Sequence, residues 1–85
     1  MKVELDPAAA DAYNAIPLPV AVRVDEILDW IEGDDPQRRH KPALYLDGQW
    51  AVSFRALGEF WVLIWEVDGN VAAIRHIGEV TSIGG

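Results

Sequence analysis

The sequence predicts an α+β fold in which a short N-terminal strand and a helical hairpin precede a three- or four-stranded antiparallel sheet. The main observation is that residues 50–56, 59–67 and 71–77 are rich in β-branched and aromatic residues, as strands are. The segments that connect them contain only two or three residues, so consecutive strands must run antiparallel. A second observation is that the apolar residues of the first half recur at helical spacing.

The N-terminal segment predicts a strand followed by a helix. Residues 2–5 alternate between polar and apolar side chains, which is typical of a short half-buried strand. Asp6 is a favourable N-cap and Pro7 suits the first helical position, so a helix is expected to begin there and to end before Pro17.

A second helix is predicted, with Pro19 in its first turn. It is expected to run to about Glu32 and to have Gly33 as its C-cap. The apolar stripe of this helix comprises Val20, Val24, Ile27, Leu28 and Ile31. The opposite face of the helix is charged and can be solvated by water.

The remaining segments complete the sheet half of the chain. Residues 34–42 have the composition of a connecting loop, and residues 44–46 predict a short strand before the turn signal Asp47-Gly48. Residues 60–65 are apolar without interruption, which predicts that the middle strand of the sheet is covered on both faces.

The composition indicates one ordered domain, residues 1–85. Hydrophobic residues make up 51% of the chain and include four Trp, which argues against disorder despite a net charge of −7. A domain of this size buries only about 60% of its unfolded surface, so a habitual partner that covers exposed aromatic residues is expected. Without cysteine the chain forms no disulfide and has no thiolate ligand or nucleophile.

The charge is unevenly distributed along the chain. Residues 1–35 contain nine acidic and two basic residues, whereas the five acidic residues of 36–85 are matched by five basic ones. An acidic surface repels phosphate, so nucleic-acid binding is disfavoured except at a local basic patch on the sheet side. The longest apolar run has six residues, and no signal-peptide pattern is present, so a cytoplasmic protein without membrane association is expected.

Few residues are suited to catalysis or to metal binding. His40 and His76 are the only histidines, and neither forms a spaced ligand motif, so no metal or other cofactor is expected. Ser53 and Ser82 lack the surroundings of a nucleophile, and the glycines form no phosphate-binding loop.

The basic residues provide the first candidate binding sites. Arg38, Arg39 and Lys41, next to His40, are the densest positive charge and are candidates for contacts with phosphates or an acidic protein segment. The alternative is a solvated loop that balances neighbouring carboxylates.

Two further arginines lie on predicted strands. Arg55 and Arg75 need a carboxylate, an aromatic face or a ligand, because they stand on an otherwise apolar sheet. The structural alternative is cross-strand pairing with Glu66 or Glu59.

Aromatic residues are expected to serve mainly in packing. Trp50, Trp61 and Trp65 lie on predicted strands, where such side chains usually form the core. Trp30 lies on the acidic helix and either flanks the core stripe or is exposed as an anchor for a partner.

The order of these elements resembles the RelE/ParE superfamily of bacterial toxins. The resemblance rests on the short first strand, a helical hairpin ending in residues 27–31, the Pro-containing linker, and the strand sequences of residues 47–55, 58–67 and 71–78. It covers nearly the whole chain.

The resemblance implies the toxin of a type II toxin–antitoxin pair, neutralised by a cognate antitoxin. RelE-like members cut mRNA on the ribosome, and ParE-like members inhibit DNA gyrase. Carried over by position, Arg55 and Arg75 would be the basic residues of a metal-independent endoribonuclease, and His76 its general acid or base.

The chain also departs from the ribonuclease pattern. Where those members commonly have an arginine after the hairpin, this chain has Phe60, Trp61 and Val62, and it has no tyrosine beyond the last strand. The alternative is therefore a non-catalytic binding module of the same fold, either a gyrase inhibitor or an inactive toxin. A small acidic structural protein is a more distant alternative.

Overall fold

The computed structural model describes residues 1–33 and 43–80 and contains two helices and five strands in this part of the chain. The elements in chain order are β1 (Lys2–Leu5), α1 (Pro7–Ala15), α2 (Leu18–Glu32), β2 (Ala43–Leu46), β3 (Gln49–Ala56), β4 (Glu59–Asp68) and β5 (Val71–Glu79). The predicted strand, helical hairpin and antiparallel sheet are confirmed.

One mixed sheet contains all five strands, in the order β1-β5-β4-β3-β2. Strands β2 to β5 form an antiparallel meander of four strands. Strand β1 adds to the edge of β5 in parallel, with Val3 opposite Ala72. Strands β1 and β5 can pair in parallel because the chain between them crosses the sheet through the helical hairpin and then returns along β2, β3 and β4.

The helix boundaries follow from their capping residues. Asp6 accepts a hydrogen bond from the backbone N–H of Ala9 through its Oδ1, at 2.9 Å, and Pro7 occupies the first helical position. Helix α2 begins at Leu18 and ends at Glu32, and the N–H of its C-cap Gly33 donates to the carbonyl of Asp29 at 2.8 Å. Both helices therefore begin and end close to their predicted positions.

Two of the three hairpins of the described sheet have two consecutive residues in the left-handed conformation at their turns. Asp47 and Gly48 join β2 to β3 with φ of 53° and 82°, and Leu57 and Gly58 join β3 to β4 with φ of 55° and 76°. Two consecutive positive φ values are typical of the type I′ turn, whose twist matches that of the strands. Asp tolerates this conformation, whereas the side chain of Leu57 is unfavourable there.

The hydrophobic core lies between the two helices and one face of the sheet. Helix α2 contributes its predicted stripe, of which Val20, Val24, Ile27 and Ile31 are buried. No charged or polar side chain of the described residues is fully buried. The sheet residues of the core are Val52, Phe54, Trp61, Leu63, Trp65, Ala72, Ile74 and Ile77.

The face of the sheet opposite the helices, here called the outer face, is only half-buried. Along β4, the buried residues Trp61, Leu63 and Trp65 alternate with partly exposed Val62 and Ile64. The prediction that the middle strand is covered on both faces is therefore wrong for the described part of the chain. An apolar run is also compatible with a strand whose second face is shielded only by side chains of the neighbouring strands.

Neither helix in the described residues combines the length and the apolar character that crossing a bilayer requires.

Candidate functional site

Arg55 lies on the outer face at the end of β3, beside an exposed aromatic ring. It pairs across the strands with Phe60, and its Cζ lies 4.8 Å from the centroid of the Phe60 ring. An exposed cation–π contact of this kind contributes about 0.5–1 kcal/mol. Of the partners expected for Arg55, a carboxylate, an aromatic face or a ligand, the described residues provide the aromatic face.

Arg75 lies in a β-bulge of β5. His76 is opposite Ile64 and Ile74 is opposite Trp65, so Arg75 is the extra residue of its strand. Its guanidinium lies 3.3 Å from Oε2 of Glu66 and 3.7 Å from Oδ2 of Asp6. The cross-strand pairing with Glu66 that the sequence offered as an alternative is present.

Glu66 connects Arg75 to a third strand. Its Oε1 accepts a hydrogen bond of 2.9 Å from Nε2 of Gln49 on β3. That hydrogen bond, followed by the positive charge of Arg75, lowers the pKa of Glu66 against the opposing effect of desolvation. Glu66 is therefore ionised at neutral pH, and its charge is available to neutralise Arg75.

His76 is exposed on β5, on the outer face. Its ring lies over Gly78, with Nε2 only 2.8 Å from the position that a Cβ at residue 78 would occupy. The missing side chain at Gly78 thus leaves room for the imidazole on the sheet.

The three residues predicted to be catalytic do not form one cluster. Arg55 is opposite Phe60 and His76 is opposite Ile64, which are four residues apart on β4. With about 3.3 Å per residue and about 4.8 Å per strand, the backbones of Arg55 and His76 are about 16 Å apart. Arg75 is adjacent to His76 in sequence, but its guanidinium is paired with carboxylates.

Trp30 belongs to an aromatic cluster on the helix side of the sheet. Its ring packs edge-on against Trp65 at 6.1 Å, and Trp65 stacks with Trp50 at 6.3 Å. Tyr45 contacts Trp50 at 4.8 Å. The packing alternative for Trp30 is thus the one observed, although its Nε1 is buried without a hydrogen-bond partner in the described part of the chain.

Arg38, Arg39 and Lys41 lie outside the described residues. Residues 1–33 and 43–80 contain no group of three or more His, Asp or Glu side chains arranged to hold a metal ion.

Phe60 is a candidate binding residue that the sequence did not single out. It is 53% exposed and lies on the outer face with Val62 and Ile64. The alternation of side chains along the strand could have identified it. Phe60 lies on the same face of β4 as Val62 and Ile64, and on the opposite face from the buried Trp61 and Leu63.

We define the outer patch as Ser53, Arg55, Phe60, Val62, Ile64 and His76. It combines an apolar centre with one cation and one imidazole. Glu59 and Glu79 lie near the Arg55 end of the outer patch. Their side chains are on the same face as Trp61 and Ile77, which is the helix side of the sheet. The carboxylate nearest to the outer patch on the same face is Glu66, which follows Ile64 along β4 and is paired with Arg75 and Gln49. Such a surface is suited to binding an apolar and negatively charged partner.

Comparisons with known proteins identify the fold. No model of a protein family matches the sequence, and no curated protein is significantly similar to it. The isolated Escherichia coli RelE toxin has a similar structure, with a TM-score of 0.73 and 13% identity over 94% of this chain and 84% of that one. A chain of the intact E. coli RelBE toxin–antitoxin complex matches with a TM-score of 0.69 and 11% identity, over 94% of this chain and 96% of that one.

The predicted RelE-like architecture is therefore confirmed at the level of the fold. The chain has a RelE-like toxin fold.

Proposed function

We propose that this protein is the toxin component of a type II toxin–antitoxin module in the bacterial cytoplasm and that it binds a cognate antitoxin. The observation that carries this proposal is the likeness of 94% of the chain to the RelE toxin, with a TM-score of 0.73. The second similar chain comes from a toxin–antitoxin complex, which supports a protein partner.

The candidate activity is metal-independent cleavage of mRNA on the ribosome. Cleavage of a phosphodiester without a metal requires cations that stabilise charge on the phosphate and groups that transfer protons. Arg55 and Arg75 would supply the cations, and His76 would be the general acid or base. The backbones of Arg55 and His76 lie about 16 Å apart and Arg75 is paired with carboxylates, so this activity would require the three side chains to contact different parts of the RNA. Arg38, Arg39 and Lys41 would add contacts with phosphates or with a partner.

The second candidate is a non-catalytic inhibitor that acts by binding, for example to DNA gyrase, or an inactive toxin. It is favoured by the pairing of Arg75 with Asp6 and Glu66, which leaves this cation less available to a phosphate. It is also favoured by the net charge of −7, since a nuclease directed to the ribosome benefits from a positive field.

Inducible expression in a bacterial host distinguishes these candidates. Growth, mRNA 5′ ends and plasmid supercoiling are followed in the same cultures. New ribosome-dependent mRNA ends that disappear in Arg55→Ala and His76→Ala, but persist in Arg23→Ala, support the nuclease. Arrest with intact mRNA and altered supercoiling supports the gyrase inhibitor. Arg23 is a suitable control because it pairs with Glu26 on α2, away from the sheet.

A further inference from the structure

We propose that the free edge of β1 pairs with β1 of a second copy of this chain, antiparallel and centred on Val3, so that the sheets of the two copies join into one. The pairing concerns the edge of the sheet rather than either of its faces, and it does not depend on the toxin assignment.

Strand β1 has an edge with open hydrogen-bonding groups. It is the last strand of the sheet and, among the described strands, it pairs with β5 alone. On the β5 side, the N–H of Lys2 donates to the carbonyl of Asn70 at 2.9 Å, and the N–H of Asp6 donates to the carbonyl of Ile74 at 3.1 Å. Because successive residues of a strand direct their backbone groups to opposite edges, the N–H and C=O of Val3 point to the free edge.

A pairing centred on Val3 satisfies these backbone groups. In an antiparallel ladder, two opposite residues whose backbone groups point towards each other exchange both of their N–H···O bonds. Val3 of one copy and Val3 of the other form such a pair. The side chain of Val3 is half-buried against the core of its own copy, so its backbone is held in place before the second copy arrives.

The side chains of β1 favour a second copy of the same sequence. Lys2 and Glu4 lie one residue to either side of Val3, on the face opposite the helices, and their side chains are 71% and 56% exposed. In the antiparallel pairing, Lys2 of each copy is opposite Glu4 of the other. These two positions are not hydrogen-bonded to each other through the backbone, and at such positions the side chains of opposite residues approach most closely.

The signs of these charges distinguish this edge from one that is protected against self-association. Edge strands are commonly protected by charged side chains, because like charges repel an approaching strand. Here the two charges have opposite signs and are symmetric about Val3, so a second copy brings opposite charges together. Lys2 and Glu4 already lie 3.4 Å apart within the strand, and the second copy extends this pair to four charges of alternating sign.

The layers of the fold are compatible with this dimer. Helix α1 packs mainly on β5, one strand in from the edge. A two-fold axis perpendicular to the sheet relates the copies, so both helical layers lie on one face of the joined sheet and both outer patches lie on the other. Each copy carries a net charge of −7, and this repulsion together with the small interface makes the dimer weak.

The test is sedimentation equilibrium of the full chain at concentrations up to the millimolar range, where we expect the wild type to form dimers. Lys2→Glu and Glu4→Lys each place like charges opposite one another, so each should weaken the dimer about tenfold or more. The double variant that combines both changes restores opposite charges and should dimerise as the wild type does. Far-UV circular dichroism confirms that all variants are folded.

The matched controls are Arg23→Glu and Glu26→Arg on α2, which make the same two changes in net charge away from β1. Each control should dimerise as the wild type does. A wild type that remains monomeric at every concentration overturns the proposal. Equal dimerisation of the wild type and both β1 single variants shows that the contact is on another surface, and it overturns the proposal as well.

A mixture of the two single variants gives the most specific result. Lys2→Glu has two acidic side chains on β1 and Glu4→Lys has two basic ones, so each variant alone repels its own kind. We expect the mixture to form a heterodimer at concentrations where each variant alone is monomeric. A mixture that remains monomeric where the wild type dimerises contradicts the antiparallel pairing centred on Val3.

Discussion

At the scale of single residues, Arg75 shows how the fold can change what a candidate residue does. The bulge turns its guanidinium towards Glu66 and Asp6. Asp6 is also the N-cap of α1, so Arg75 connects the start of the helix layer to the centre of the sheet. An arginine in this position contributes to stability, whatever further role it has in binding.

Replacing Arg75 with Ala is expected to lower the melting temperature by a few degrees at pH 7, because two carboxylates lose their partner. The Glu66 part of this contribution depends on pH. The folded-state pKa of Glu66 is lowered, so its stabilisation is fully present above its ordinary value of 4.5 and is lost as the pH falls through the folded value. Thermal melts of both proteins from pH 7 to pH 3 measure this.

The control for Arg75 is Arg23→Ala, which removes an exposed pair with Glu26 within α2. It should change the melting temperature less than Arg75→Ala does. Equal melting temperatures for the wild type and Arg75→Ala at pH 7 would show that the pairing with Asp6 and Glu66 has no structural role.

The pair Glu59 and Glu79 has the opposite effect on how stability depends on pH. The hydrogen bond with Glu59, followed by desolvation and the like charge of Glu59, raises the pKa of Glu79. A raised carboxyl pKa means that the folded state binds more protons, so stability falls as the pH rises through that value. We expect Glu79→Gln to be more stable than the wild type at pH 7 and to lose this advantage below pH 4.5. A melting temperature unchanged at pH 7 would contradict the repulsion.

At the scale of secondary-structure elements, the β3–β4 hairpin fixes the spatial relation between Arg55 and Phe60. A two-residue turn at Leu57 and Gly58 sets the register, and that register places the two side chains opposite one another. The turn itself is not optimal, because Leu57 has a φ of 55°. Its side chain is 59% exposed and contributes little burial in return.

Replacing Leu57 with Asn is expected to stabilise the protein by about 1 kcal/mol, because Asn accepts the left-handed conformation of a type I′ turn. The matched control is Asp47→Leu in the other hairpin, where φ is 53°, and it should destabilise the protein by a similar amount. Chemical denaturation measures both changes. A less stable Leu57→Asn would mean that the exposed Leu57 makes a contact that outweighs the backbone effect.

The boundaries of the helices and turns could be predicted from the sequence, whereas the pairing of distant strands could not. Capping residues and turn dipeptides act locally, so Asp6, Gly33 and Asp47-Gly48 mark their boundaries correctly. The parallel pairing of β1 with β5 and the bulge at Arg75 depend on contacts between distant segments, and no local pattern encodes them. The apolar run of β4 could not distinguish a strand buried on both faces from one that is half-buried on its second face.

For the candidate site, the strand positions of the residues could be predicted from the sequence, but the contacts of their side chains could not. The strand positions of Arg55, Arg75 and His76 follow from local patterns, but their partners depend on the register of the whole sheet. Arg75 meets Asp6 only because β1 lies next to β5. The role of Trp30 likewise depends on how α2 crosses Trp65.

At the scale of the whole molecule, charge and burial are distributed in a way that suits a partner-binding protein. The helices cover one face of the sheet and carry five of the fourteen acidic residues, while the outer patch is largely apolar and includes Arg55, which packs on the Phe60 ring. A small domain with a half-buried sheet face gains stability when a partner covers that face. The RelE-like fold makes an antitoxin the proposed partner.

The most direct test of the account is bacterial growth after induction of this chain, with and without co-expression of the protein encoded by the neighbouring gene. We expect growth to stop when the chain is expressed alone and to recover when the neighbouring protein is present and co-purifies with it. Normal growth in both cultures, with a folded chain that does not bind the neighbouring protein, would contradict the assignment to a toxin–antitoxin module.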